Sequence, residues 1–160
     1  MPVNSSRQSM SAVFRTVTIL LLVAFLQTAG SGCSGKVARY PEVRALDGAV
    51  TIDLISVGPG SGRFLTYRSG SGKQVEFFVY RDSSGAPHAV LDACRTCYRW
   101  KKGYVVDGNE IVCRKCDMRF KLDDLAQGIG SCVPVALETL RQGDTLSIPV
   151  AGLEAGARFF

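Results

Sequence analysis

Residues 91–116 read LDACRTCYRWKKGYVVDGNEIVCRKC, framed by two C-x2-C pairs, Cys94 with Cys97 and Cys113 with Cys116. A C-x2-C turn points both sulfurs into one small volume and lets nearby backbone N–H groups bond to them. Each turn therefore supplies two soft ligands without long-range folding. Two such turns about fifteen residues apart present four thiolates to one tetrahedral ion, the pattern of zinc and iron–thiolate sites. Between the turns, β-branched and aromatic residues flank Asp107-Gly108, a type I′ turn signal, so residues 102–113 predict a β-hairpin whose open end closes the two knuckles on each other. The expected unit is a zinc-ribbon or rubredoxin-like double knuckle.

A fifth sulfur, Cys132, follows Cys116 at the same interval, in Gly128-Ile-Gly-Ser-Cys-Val-Pro134. Its glycines permit close approach to the site. Cys132 is expected to join the centre, replacing a knuckle sulfur or binding a second metal, or else to stay a buried thiol. Paired disulfides are the competing reading for an exported chain. The odd count of five over residues 94–132, and the redox-active character usual for a disulfide inside C-x2-C, favour metal.

The extreme N-terminus has no acid and only Arg7 and Arg15 before the apolar run Val17–Leu26. That is signal-peptide length and short for a membrane span. Gly30-Ser-Gly-Cys33 then resembles a lipoprotein cleavage box, with Cys33 as the lipidated residue. The expected organisation is a signal peptide over 1–32, a tether over 33–48 and a β-rich metal-binding domain over 49–160. Its expected place is the bacterial cell envelope, membrane-anchored on the extracytoplasmic side. Removing residues 1–32 leaves 17 bases and 14 acids, net +3, too mild a charge to point to nucleic acid. Residues 94–121 nevertheless hold eight bases against three acids, which offsets a tetrathiolate or offers a docking patch.

Strand-like runs at 50–57, 63–67, 74–80 and 87–92 are separated by Gly- and Ser-rich turns, implying antiparallel pairing in a small, mainly β domain. Leu122–Gln127 reads as one helical turn, and 146–150 as a final strand that its proline assigns to a sheet edge. Alternation in the strand before the first knuckle puts His88, Val90, Asp92 and Cys94 on one face. His88 stands roughly 20 Å from Cys94 along an extended chain, too far to share its ion. Asp92 is close enough to accept hydrogen bonds behind the ligands or to cap the turn into the knuckle. No nucleophile–base pair, phosphate loop or acid pair points to an enzyme.

From Gln74 onward the chain resembles the FtrD-like family of membrane iron–sulfur proteins. The resemblance is carried by Glu76-Phe-Phe-Val-Tyr-Arg81, Leu91-Asp-Ala-Cys-x-x-Cys97, Lys102-Gly-Tyr104, Ile111-Val-Cys-Arg-x-Cys116, Phe120 and the Cys132 loop, where Ser131 and Val133 replace the family's glycine and asparagine. It implies an anchored, extracytoplasmic protein in which Cys94, Cys97, Cys113, Cys116 and Cys132 hold an iron–sulfur cluster or mononuclear iron. It further implies an electron-transfer or accessory role in bacterial iron handling, beside redox or transport partners in the membrane. Zinc is the alternative metal, because a chain exported unfolded arrives without a cytoplasmically built cluster. With zinc the domain is a structural binding module; a metallochaperone is the remaining reading.

Overall fold

The computed structural model describes residues 38–127 and 131–160. The expected signal segment 1–32 and Cys33 lie outside them. The described chain is mainly β, in three sheets. The largest has the order β1 (Glu42–Val43), β3 (Gly62–Arg68), β4 (Gln74–Arg81), β5 (Pro87–Cys94) and β9 (Pro134–Leu137). All its neighbours are antiparallel except β1 and β3, which run parallel.

This sheet is buried on both faces, and the aromatic run in β4 explains how. Val75, Phe77 and Val79 point one way with Leu65, Ala89, Leu91 and Ala93. They meet Val50, Ile52, Leu146 and Ile148 of a second sheet, formed by β10 (Leu140–Gln142), β11 (Thr145–Pro149) and β2 (Ala49–Asp53), together with Leu153 of helix α1 (Val150–Gly156). Phe78 and Tyr80 point the other way, with Val90 and Cys94. There they cover Tyr104, Ile111 and Cys113 of a third sheet, β6 (Tyr104–Asp107), β7 (Glu110–Cys113) and β8 (Arg119–Lys121). A strand with two apolar faces reads as a continuous hydrophobic run rather than an alternating one.

Several local expectations shift. The hairpin at 104–113 forms, but Asp107 pairs with Glu110, so the two loop residues are Gly108 and Asn109. Gly108 alone takes positive φ, +64°, the type II′ pattern rather than I′. The type I′ signature sits instead at Asp47 (φ 50°) and Gly48 (φ 80°), where Leu46 and Ala49 exchange both backbone hydrogen bonds. Thus part of the stretch expected as a tether, 33–48, is paired: Glu42 and Val43 lie beside Thr66 and Tyr67. The strand expected at an edge, β11, is central in its sheet. Pro149 is tolerated because it is the last residue of that strand, opposite Ala49, where the chain turns into α1. Leu122–Gln127 forms a 3-10 helix, as its composition suggests.

Candidate metal centre

Three pieces of backbone bring the sulfurs together on the smaller core. Cys94 ends β5 and Cys97 follows in its turn; Cys113 ends β7 and Cys116 follows in the turn to β8. Cys132 arrives because β9 lies antiparallel to β5 with Cys94 opposite Pro134. Thr96 Oγ1 fixes that approach by donating to Ser131 O at 2.6 Å. The ligand atoms of Cys94, Cys97 and Cys132 lie within 4.8 Å of one another, and so do those of Cys97, Cys113 and Cys116. Cys97 Sγ is 3.8 Å from Cys132 Sγ, and Cys116 Sγ is 3.1 Å from it. Cys94, Cys113 and Cys132 are buried, Cys97 is partly covered and Cys116 is exposed.

Hydrogen bonding sorts the thiols. Burial works against ionising Cys94, but the N–H groups of Cys97 and Thr96, 3.2 and 3.3 Å from its sulfur, outweigh it and hold its pKa below the usual thiol value. Burial opposes Cys116 as well, and there Met118 N–H and the thiols of Cys132, Cys113 and Cys97 bring it down. Cys97 and Cys113 are pushed up, chiefly by burial. Cys132 is raised to about 11 by its contact with the Cys116 thiol and then by burial. Each knuckle thus offers one readily formed thiolate beside a thiol whose proton a cation would displace.

The hairpin is tied to the central sheet by Asp92. Its side chain is fully buried, and Oδ1 accepts from Tyr104 N–H at 2.6 Å while Oδ2 accepts from Tyr40 hydroxyl at 3.4 Å. Asp92 therefore holds the start of β6 rather than a sulfur or the knuckle turn. Burial lifts its pKa to about 7, against the opposing pull of the Tyr104 N–H. Arg39, 3.7 Å from Oδ2, also reaches Glu76. Tyr104 completes the link: its buried hydroxyl donates to Cys132 O at 2.6 Å. His88 stays apart, bonded to Asp82 at 3.0 Å and stacked on Tyr80.

Thr96, Arg39 and Tyr40 are the supporting residues that motif reading misses, whereas Tyr104 enters it through the Lys102-Gly-Tyr104 motif. The Gly103-Tyr104 pair after a knuckle was the one available signal. Arg39 and Tyr40 act across more than fifty residues of sequence, where no local pattern exists.

Surface charge gathers on the same side. Arg95, Arg99, Lys101, Lys102, Arg114 and Lys115 are exposed, and none of them belongs to an ion pair among the described residues. Trp100, 53% exposed, lies under Lys115 Nζ at 4.8 Å from the ring centroid.

The family model for membrane iron–sulfur containing proteins, FtrD-like, matches residues 57–160. The chain belongs to the FtrD-like family. No curated protein matches it. The family description implies an iron–sulfur group, and the donor set fits one chemically: five thiols with no imidazole or carboxylate among the gathered ligand atoms suit iron or zinc. No helix among the described residues is long and apolar enough to cross a membrane.

Proposed function

We propose that this FtrD-like protein is an extracytoplasmic, membrane-anchored carrier that moves electrons through cysteine-held iron in bacterial iron handling, without catalytic turnover of its own. The observation that carries the reading is the asymmetry of the cluster. Its inner sulfurs are buried against Tyr104 and Ile111, while Cys116 is exposed beside cations that make no ion pair among the described residues. Bound iron would supply a one-electron couple. The apolar side excludes water and so helps set the potential. The open side gives a short path outward, and the cations favour encounter with an acidic partner in the membrane.

A structural zinc site is the second reading, because one distance suits tetrahedral zinc as well as tetrahedral iron. Four thiolates at about 2.3 Å around zinc stand about 3.8 Å apart, which is the Cys97–Cys132 separation. Anaerobically purified full-length protein separates the two. The carrier reading expects iron, visible absorption and bleaching by dithionite. A colourless protein holding zinc and unaffected by reductant refutes it.

A further inference from the structure

We infer that the five cysteines hold two thiophilic cations, with Cys97 Sγ shared between them; this rests on the reading of the cluster as a metal centre. The sulfurs include two triplets that together use all five, Cys94–Cys97–Cys132 and Cys97–Cys113–Cys116, with Cys97 the one member of both; Cys97, Cys116 and Cys132 are also mutually close, which places the two groups side by side. A single tetrahedral ion uses four thiolates and leaves a fifth without purpose. Two ions joined at Cys97 use all five.

The fold supports the sharing. Cys94 ends β5 and Cys132 lies two residues before its partner strand β9, whereas Cys113 ends β7 of the third sheet and Cys116 lies in the turn to β8. Cys97 lies in the turn between these two structures and is the more exposed sulfur of its own knuckle. Each triplet also has a candidate fourth donor close by, since Cys116 of one lies 3.1 Å from Cys132 of the other. Charge favours the larger complement. Four thiolates with one divalent ion carry two negative charges, and five thiolates with two divalent ions only one.

Divalent cobalt is a suitable probe because tetrahedral thiolate sites give it a strong visible spectrum and a paramagnetic signal. It would be titrated anaerobically into reduced, metal-free, detergent-solubilised full chain. The expected result is a break at two equivalents. The paramagnetic signal should rise over the first equivalent and fall over the second, as the shared sulfur couples the two ions. Cys94→Ser, which alters only the first triplet, should still bind one equivalent and show no coupling; Cys97→Ser should abolish coupling at any loading. Saturation at one equivalent overturns the two-ion inference and leaves the metal-centre reading standing. Two equivalents without coupling overturn the sharing. A chain that binds no cobalt overturns the metal-centre reading itself.

Discussion

Gly103 and Gly108 share φ of +64°, yet their surroundings differ in a way that isolates what Asp92 contributes. Nothing lies within 4 Å of a Cβ built on Gly108, so Gly108→Ala carries only the cost of holding an L-residue at positive φ, about 1–2 kcal/mol. A Cβ on Gly103 would stand 2.6 Å from Asp92 Oδ1 and 2.7 Å from its Cγ. Asp92 cannot retreat cheaply, because it is fully buried and bonded to Tyr104 N–H. Gly103→Ala should therefore add the loss of a buried hydrogen bond to a carboxylate, a further ~1–3 kcal/mol. The total is about 2–5 kcal/mol. Urea unfolding of both variants beside the parent, each metal-free and reduced, measures the difference directly. Equal losses at the two positions would show that Asp92 does not anchor the hairpin, and the account of how the third sheet is held would fail.

Asp82 accepts hydrogen bonds from Ser84 hydroxyl, Ala86 N–H and His88, which together bring its pKa to about 2 against the effect of burial. A depressed carboxylate stabilises the fold above its unfolded pKa near 4 and loses that contribution as pH falls through 2. Asp82→Asn should thus cost roughly 1 kcal/mol at pH 7, reduced by screening at an open turn, and a clearly smaller amount at pH 2, as read from denaturant curves at the two pH values. Tyr104→Phe leaves Cys132 O without its donor in a buried site, an expected loss of about 1–3 kcal/mol. It should also shift the thiolate-to-metal absorption of the loaded protein, whereas an unchanged spectrum would separate Tyr104 from the centre.

How far residues foretold structure depends on distance along the chain. The knuckle spacing and the hairpin were legible because both are local: a turn signal, β-branched flanks and sulfurs three residues apart. So was the shared face of His88, Val90, Asp92 and Cys94, which follows from alternation alone. The turn type was misplaced by one residue, since Asp107-Gly108 and Gly108-Asn109 carry nearly the same signal and pairing of Asp107 with Glu110 decides between them. Helix α1 was not legible. It is seven residues long with two glycines, and Gly156 is required there by contact: a Cβ would come within 2.7 Å of Leu91 Cδ1. The pairing of residues 42–43 with β3 is likewise a tertiary fact, made by parallel strands more than twenty residues apart.

The two faces of the central sheet explain why the metal centre and the third sheet belong to one unit. The first core has aliphatic and aromatic residues from two sheets and a helix, and no cysteine. The second is smaller, and three of its ten buried members are Cys94, Cys113 and Cys132. Thiols bury little apolar area each, so the face against β6–β8 gains less from water exclusion than the face against β2 and β11. What fastens the third sheet is then a short set of specific links: Asp92 to Tyr104, Tyr104 to Cys132, and whatever ion bridges sulfurs of the two knuckles. An ion that binds only the assembled set adds its binding free energy to folding. The family's sulfurs are in this sense part of the core that positions them, and the exposed edge at Cys116 is where that core opens to the surface.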